Sequence, residues 1–148
     1  MKKLSVLLLP LFVLTLNSYS QNIDSLRLSS KEIPEGYSLS KEDQCISIQA
    51  CTFYDSPDIY EMLIGKIKRK DIQNFTSKRD NGSIMYFEFD GDFQGEGFLG
   101  GLLWGGSKRT KEHPETYLAK KNILIIWSFN KGSAIQKISE DKIKKLLK

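Results

Sequence analysis

The chain has 148 residues, of which 22 are basic and 18 acidic, for a net charge of +4. With 40% hydrophobic and 27% charged residues it has an ordinary globular balance, and its length suits one domain. One histidine and two cysteines exclude multi-histidine and four-cysteine zinc sites and a dense disulfide scaffold.

Residues 1–20 have the form of a signal peptide. Lys2 and Lys3 precede an apolar run over residues 4–16 that is broken only by Ser5, Pro10 and Thr15. A spanning helix needs about 20 such residues. Ser18-Tyr19-Ser20 then places small residues where a signal peptidase reads, so cleavage is expected between Ser20 and Gln21. The first cysteine is Cys45, well past the apolar run, which argues against a lipid anchor. Without Lys2 and Lys3 the balance is 20 basic against 18 acidic, or +2, too little for general attraction to nucleic acid.

Residues 21–40 are polar and serine-rich and read as a tether, with Pro34-Glu35-Gly36 as a turn. A single domain is expected over residues 41–148. Residues 45–54 fit helical spacing and strand alternation about equally, and their β-branched content tilts the reading to strand. Ser56, Pro57 and Asp58 open a helix over residues 57–68, with Ile59, Leu63 and Ile67 recurring every four residues. Asp80-Asn81-Gly82 joins two strands of a hairpin, residues 71–77 and 83–90; Met85, Phe87 and Phe89 share one face of the second.

Residues 97–105 and 122–129 read as two further strands, separated by a long polar connection over residues 106–121. Ile123, Ile125, Trp127 and Phe129 alternate with Leu124, Ile126 and Ser128, so this strand is expected at the centre, covered on both sides. Ser139 is expected to cap a short helix over residues 139–147, with Lys144, Lys145 and Lys148 at its negative end. The expected fold is α+β: an antiparallel sheet of four to five strands, one helix near 57–68 and one near 139–147.

The motifs point away from familiar chemistries. Gly95-Glu96-Gly97-Phe98-Leu99-Gly100 matches G-x-G-x-x-G, but a helix should follow, and Gly100, Gly101, Gly105 and Gly106 argue against one. Gly106-Ser107-Lys108 has the wrong order for a phosphate loop. Residues 90–95 resemble half a calcium loop, but the position for the bidentate glutamate is Gly101, so no metal and no cofactor is assigned. His113 stands alone, without H-E-x-x-H or G-x-S-x-G anywhere, and no catalytic set is assigned.

Cys45 and Cys51 would meet an oxidising compartment after export. Six strand steps separate α-carbons by about 20 Å, and six helical steps by about 9 Å of rise. A disulfide therefore needs a bend between them; the alternative is two buried thiols.

Trp104, Trp127, Phe87, Phe89 and Phe98 read as core. The connection over residues 107–121 is the candidate binding surface. It carries Lys108, Arg109, Lys111, Lys120 and Lys121 near Trp104, His113 and Tyr117. The expectation is a non-catalytic binding module, periplasmic or secreted, with another envelope or secreted protein as partner. No integral membrane span and no nucleic acid are expected. The alternative is a small secreted hydrolase using His113 with a carboxylate such as Glu112 or Glu115.

Overall fold

The computed structural model describes residues 22–148; the expected signal peptide and its cleavage point lie outside the described residues. Two strands fix the architecture. β3 (Gly82–Phe89) and β5 (Ile123–Phe129) are mostly apolar on both faces, and every residue of each is buried. They pair antiparallel, with Met85 opposite Ile126 and Phe87 opposite Leu124. β2 (Ile67–Thr76) flanks β3, and β1 (Ser38–Ser40) flanks β2. β4 (Thr116–Lys120) flanks β5, which completes five antiparallel strands in the order β1-β2-β3-β5-β4.

A sheet that is apolar on both faces needs cover on both. Five helices provide it: α1 (Ile23–Leu26), α2 (Ile48–Asp55), α3 (Glu61–Ile64), α4 (Glu96–Trp104) and α5 (Ala134–Leu146). On one face, Ile84, Tyr86, Ile125 and Trp127 pack with Ile23 and Leu26 of α1 and Ile135 and Ile143 of α5. On the other, Met85, Phe87, Leu124 and Ile126 pack with Ala50 and Phe53 of α2, Ile64 of α3, and Leu99 and Leu103 of α4. The fold is α+β with an antiparallel sheet, as expected, and β5 has the alternation and the double burial read from its sequence.

Several elements depart from expectation, each for a local reason. Residues 45–54 tilted to strand; instead α2 begins at Ile48, capped by the Ser47 hydroxyl on the Ala50 N–H. Ala50 and Phe53, three apart, are its buried positions, and that packing outweighs β-branched propensity. The helix expected over 57–68 is a 3₁₀ turn at Pro57–Tyr60 followed by α3, and Ile59 and Leu63 point to solvent. Gly65, at φ 97°, ends it, and Ile67 already belongs to β2. The basic residues of β2 are spent on contacts with β3, α1 and α2. Lys68 pairs with Glu88, Arg69 with Asp24, and Lys70 donates to the Tyr54 and Asp55 carbonyls closing α2.

The strand expected over 97–105 is α4. Leu99 and Leu103, four apart, are buried, and their burial offsets the glycine penalty. Gly100 has a specific use: a Cβ there would lie 3.0 Å from the Trp104 ring. The long connection ends before Thr116, because β4 and β5 form a hairpin with Lys121 and Asn122 between them, Lys121 at φ 52°. The last helix starts at Ala134, one turn before the expected Ser139 cap. Ser133 is the cap, its hydroxyl accepting from the Gln136 N–H. Ser139 is buried within the helix and accepts from Trp127 Nε1 at 2.9 Å.

Two turns also differ in detail. The hairpin turn after β2 spans residues 77–81, closed by the Ser77 hydroxyl and the Asn81 side chain. Gly82 lies inside β3, where a Cβ would come within 2.4 Å of the Ser128 carbonyl, so it serves close strand approach rather than a positive φ. In the early turn, the Tyr37 N–H donates to the Pro34 carbonyl, one position later than expected.

Residues 22–40, expected as a tether, are packed into the domain. Ile23, Leu26 and Leu28 are buried. The Gln73 side chain holds the Leu28 backbone at both its N–H and its carbonyl, each at 2.9 Å, and also accepts from the Tyr86 hydroxyl. Arg27 forms an ion pair with Asp71, and Lys142 of α5 reaches Glu32 and the Arg27 carbonyl. That contact with Lys142 and the Ser29 backbone lower the Glu32 carboxyl to about 2.

Candidate binding groove

A groove of about 630 Å³ opens where the connection after α4 passes the start of α5. Arg109, Thr110, Lys111 and Pro114 line one wall; Asn130, Lys131, Gly132, Ser133, Gln136, Lys137 and Glu140 line the other. Four cations and one carboxylate leave the groove at +3. Arg109, Lys111, Lys131 and Lys137 are exposed, and none forms a salt bridge among the described residues. Glu140 is already engaged, accepting from Gln136 at 2.7 Å and Lys144 at 3.1 Å.

The α5 wall is held rigidly. The Ser133 hydroxyl donates to Asp80 Oδ2 at 2.7 Å, and the Tyr37 hydroxyl donates to the same oxygen at 2.5 Å. Burial, aided by Asp80, pushes the Tyr37 hydroxyl up to about 12, so it remains a donor through the neutral range. Gln136 Nε2 ties α5 to the start of β4 through the Thr116 hydroxyl at 2.9 Å. On the opposite wall the Thr110 hydroxyl accepts from the His113 N–H, and the Thr110 N–H donates to the His113 carbonyl, which makes a tight loop. Beside it, Glu112 hydrogen-bonds its own backbone and Thr110, which lowers its pKa.

The four residues singled out from sequence do not converge. Arg109 lies in the groove. Trp104 and Tyr117 pack as a tilted pair with ring centroids 6.1 Å apart, against the α2–α3–α4 face of the sheet. The Trp104 indole donates to the Glu115 carbonyl at 3.0 Å, and the Tyr117 hydroxyl to the Glu96 carbonyl at 3.2 Å. Tyr117 stands on β4 rather than in a loop. His113 is half-buried, and its Nδ1 is buried without a hydrogen-bond partner among the described residues. The orienting Nδ1–carboxylate contact of a histidine base is therefore not formed. Of the aromatic cluster, Phe87, Phe89 and Trp127 are buried core, while Phe98 and Trp104 pack at its margin.

The sequence reading missed the α5 wall: Lys131, Gln136 and Lys137. The signal was present in Asn130-Lys131-Gly132-Ser133, a turn ending on a good N-cap directly after the apolar strand β5. Assigning the cap to Ser139 moved the helix start away from the groove.

Cys45 and Cys51 form a disulfide with Cα atoms 5.8 Å apart. The bend it needs is the start of α2: Ser47 is extended at φ −102°, ψ 146°, and Cys51 lies in the helix. The bridged loop docks on a polar row across the sheet. The Gln44 N–H donates to Ser83, the Ile46 N–H to Ser128, and the Ser47 N–H to Glu115 Oε1. Ser83 in turn donates to Asn74, and Ser128 to Glu115 Oε1 at 2.8 Å.

Against expectation the G-x-G-x-x-G segment itself opens a helix, with Gly95 as the N-cap of α4. Gly95 and Gly100 serve packing, a Cβ on Gly95 lying 2.5 Å from Ile64 Cγ2, and β3 has antiparallel neighbours on both sides. In the acidic turn before α4, Asp90 faces Lys66 at 3.8 Å. No helix among the described residues is long and apolar enough to cross a membrane. Compared with protein-family models, curated proteins and solved structures, the chain matches none.

Proposed function

We propose that the protein is an exported, non-catalytic binding module that holds a carboxylate-rich segment of another envelope or secreted protein in the basic groove. The observation that carries this reading is the concentration of charge. The groove stands at +3, from Arg109, Lys111, Lys131 and Lys137 against Glu140, in a chain whose total is +4. Unpaired cations in a concave site focus field on an approaching anion and speed its capture. Arg109 presents a planar fork that suits carboxylates, whereas the lysines act mainly by steering.

Binding to immobilised polyglutamate tests it. A double charge reversal, Arg109→Glu with Lys137→Glu, should weaken binding at least about tenfold and flatten its salt dependence, with the melting temperature unchanged. Equal binding by the variant and the parent chain would remove the groove from consideration.

Export has support from the Cys45–Cys51 disulfide, which is compatible with an oxidising compartment. Mass spectrometry of the protein from its native host should find a chain starting near Gln21. An intact Met1 terminus in the soluble cytoplasm would contradict export.

A further inference from the structure

Resting on the groove reading, we propose how the partner segment lies. It pairs antiparallel with β4 as a sixth strand and delivers acidic residues on its C-terminal side into the groove. Among the described residues β4 is an edge strand, paired with β5 alone. Exposed edges are commonly blunted by proline, bulges or inward charges. β4 is Thr-Tyr-Leu-Ala-Lys in unbroken register with β5, and its one charge, Lys120, is turned to the Leu147 carbonyl at the far end.

A second hollow, of about 390 Å³, runs along this edge. It is lined from one sheet face by Glu96 and Tyr117 and from the other by Leu118, Trp127 and Lys144. A hollow lined from both faces follows the strand's outer rim. Glu140 lines both hollows, and Gln136 bonds Thr116 at the point where they meet. An antiparallel strand beside β4 runs from Lys120 toward Thr116, so its C-terminal continuation reaches Pro114, Lys111 and Arg109. Backbone pairing supplies affinity and the charged end sets direction.

The test uses a synthetic peptide of alternating threonine and valine ending in three glutamates, the same composition in reversed order, and triglutamate alone. Amide exchange of the mature chain should slow at alternate residues of Thr116–Lys120 with the forward peptide only. The reversed peptide should bind about tenfold more weakly. If forward and reversed peptides bind equally and β4 amides exchange unchanged, strand pairing is wrong while the groove reading stands. If none of the three binds, both fall.

Discussion

Replacing Trp127 with alanine should lower the unfolding free energy by about 3–5 kcal/mol, the range for removing a large buried aromatic. Trp127 is 2% exposed, lies between Thr116 and Ile84 in the sheet register, and packs beneath α5. Its indole N–H also donates to Ser139 within α5, so truncation both empties the core and unpins the helix that walls the groove. Trp127→Phe keeps most of the volume and should cost far less. The measurement is urea unfolding at constant m-value. A loss below about 1 kcal/mol for the alanine variant would place Trp127 outside the core.

Glu115→Ala should cost about 2–6 kcal/mol, because each of the two buried donors left without an acceptor costs about 1–3 kcal/mol. Glu115 is fully buried, and its Oε1 receives both the Ser47 N–H and the Ser128 hydroxyl. Alanine would orphan both at the point where the disulfide-bridged loop meets the sheet. Glu115→Gln retains an amide oxygen for those donors and should recover only part of the loss. The Oε2 position has no hydrogen-bond partner among the described residues, so the amide NH2 placed there stays unpaired at a cost of about 1–3 kcal/mol. Unfolding of the two variants under the same conditions separates hydrogen bonding from packing. A loss below about 1 kcal/mol for the alanine variant would show that Glu115 Oε1 does not hold the bridged loop to the sheet.

The centre of the fold was legible because it obeys one simple period. In β3 and β5 the alternation of large apolar residues fixes both faces at once, and the structure has the same faces. Elements at the margin were read less well, because tertiary contacts outweigh local preference there. α4 contains three glycines, a poor helix by propensity, yet Leu99 and Leu103 need a helix to reach the core together. Ile23, Leu26 and Leu28 looked sparse in a polar stretch, and only Gln73, 45 residues beyond Leu28, reveals that their backbone is held. The groove was half legible. Arg109 and Lys111 stood out in a long charged connection, but Lys131 and Lys137 join them only through the path of α5. Tyr117 and Trp104 pack on each other and turn to the other side of the sheet, away from the cations expected beside them.

On the proposed reading the groove, and not the chain's general positive charge, receives the partner. Backbone amide shifts of the mature protein, followed by NMR during titration with tetraglutamate, test it most directly. Perturbations are expected only at residues 109–113 and 130–137, saturating together and disappearing in the Arg109→Glu, Lys137→Glu variant. Shifts spread evenly over lysines across the surface, or centred on the turn at residues 90–96, would contradict it.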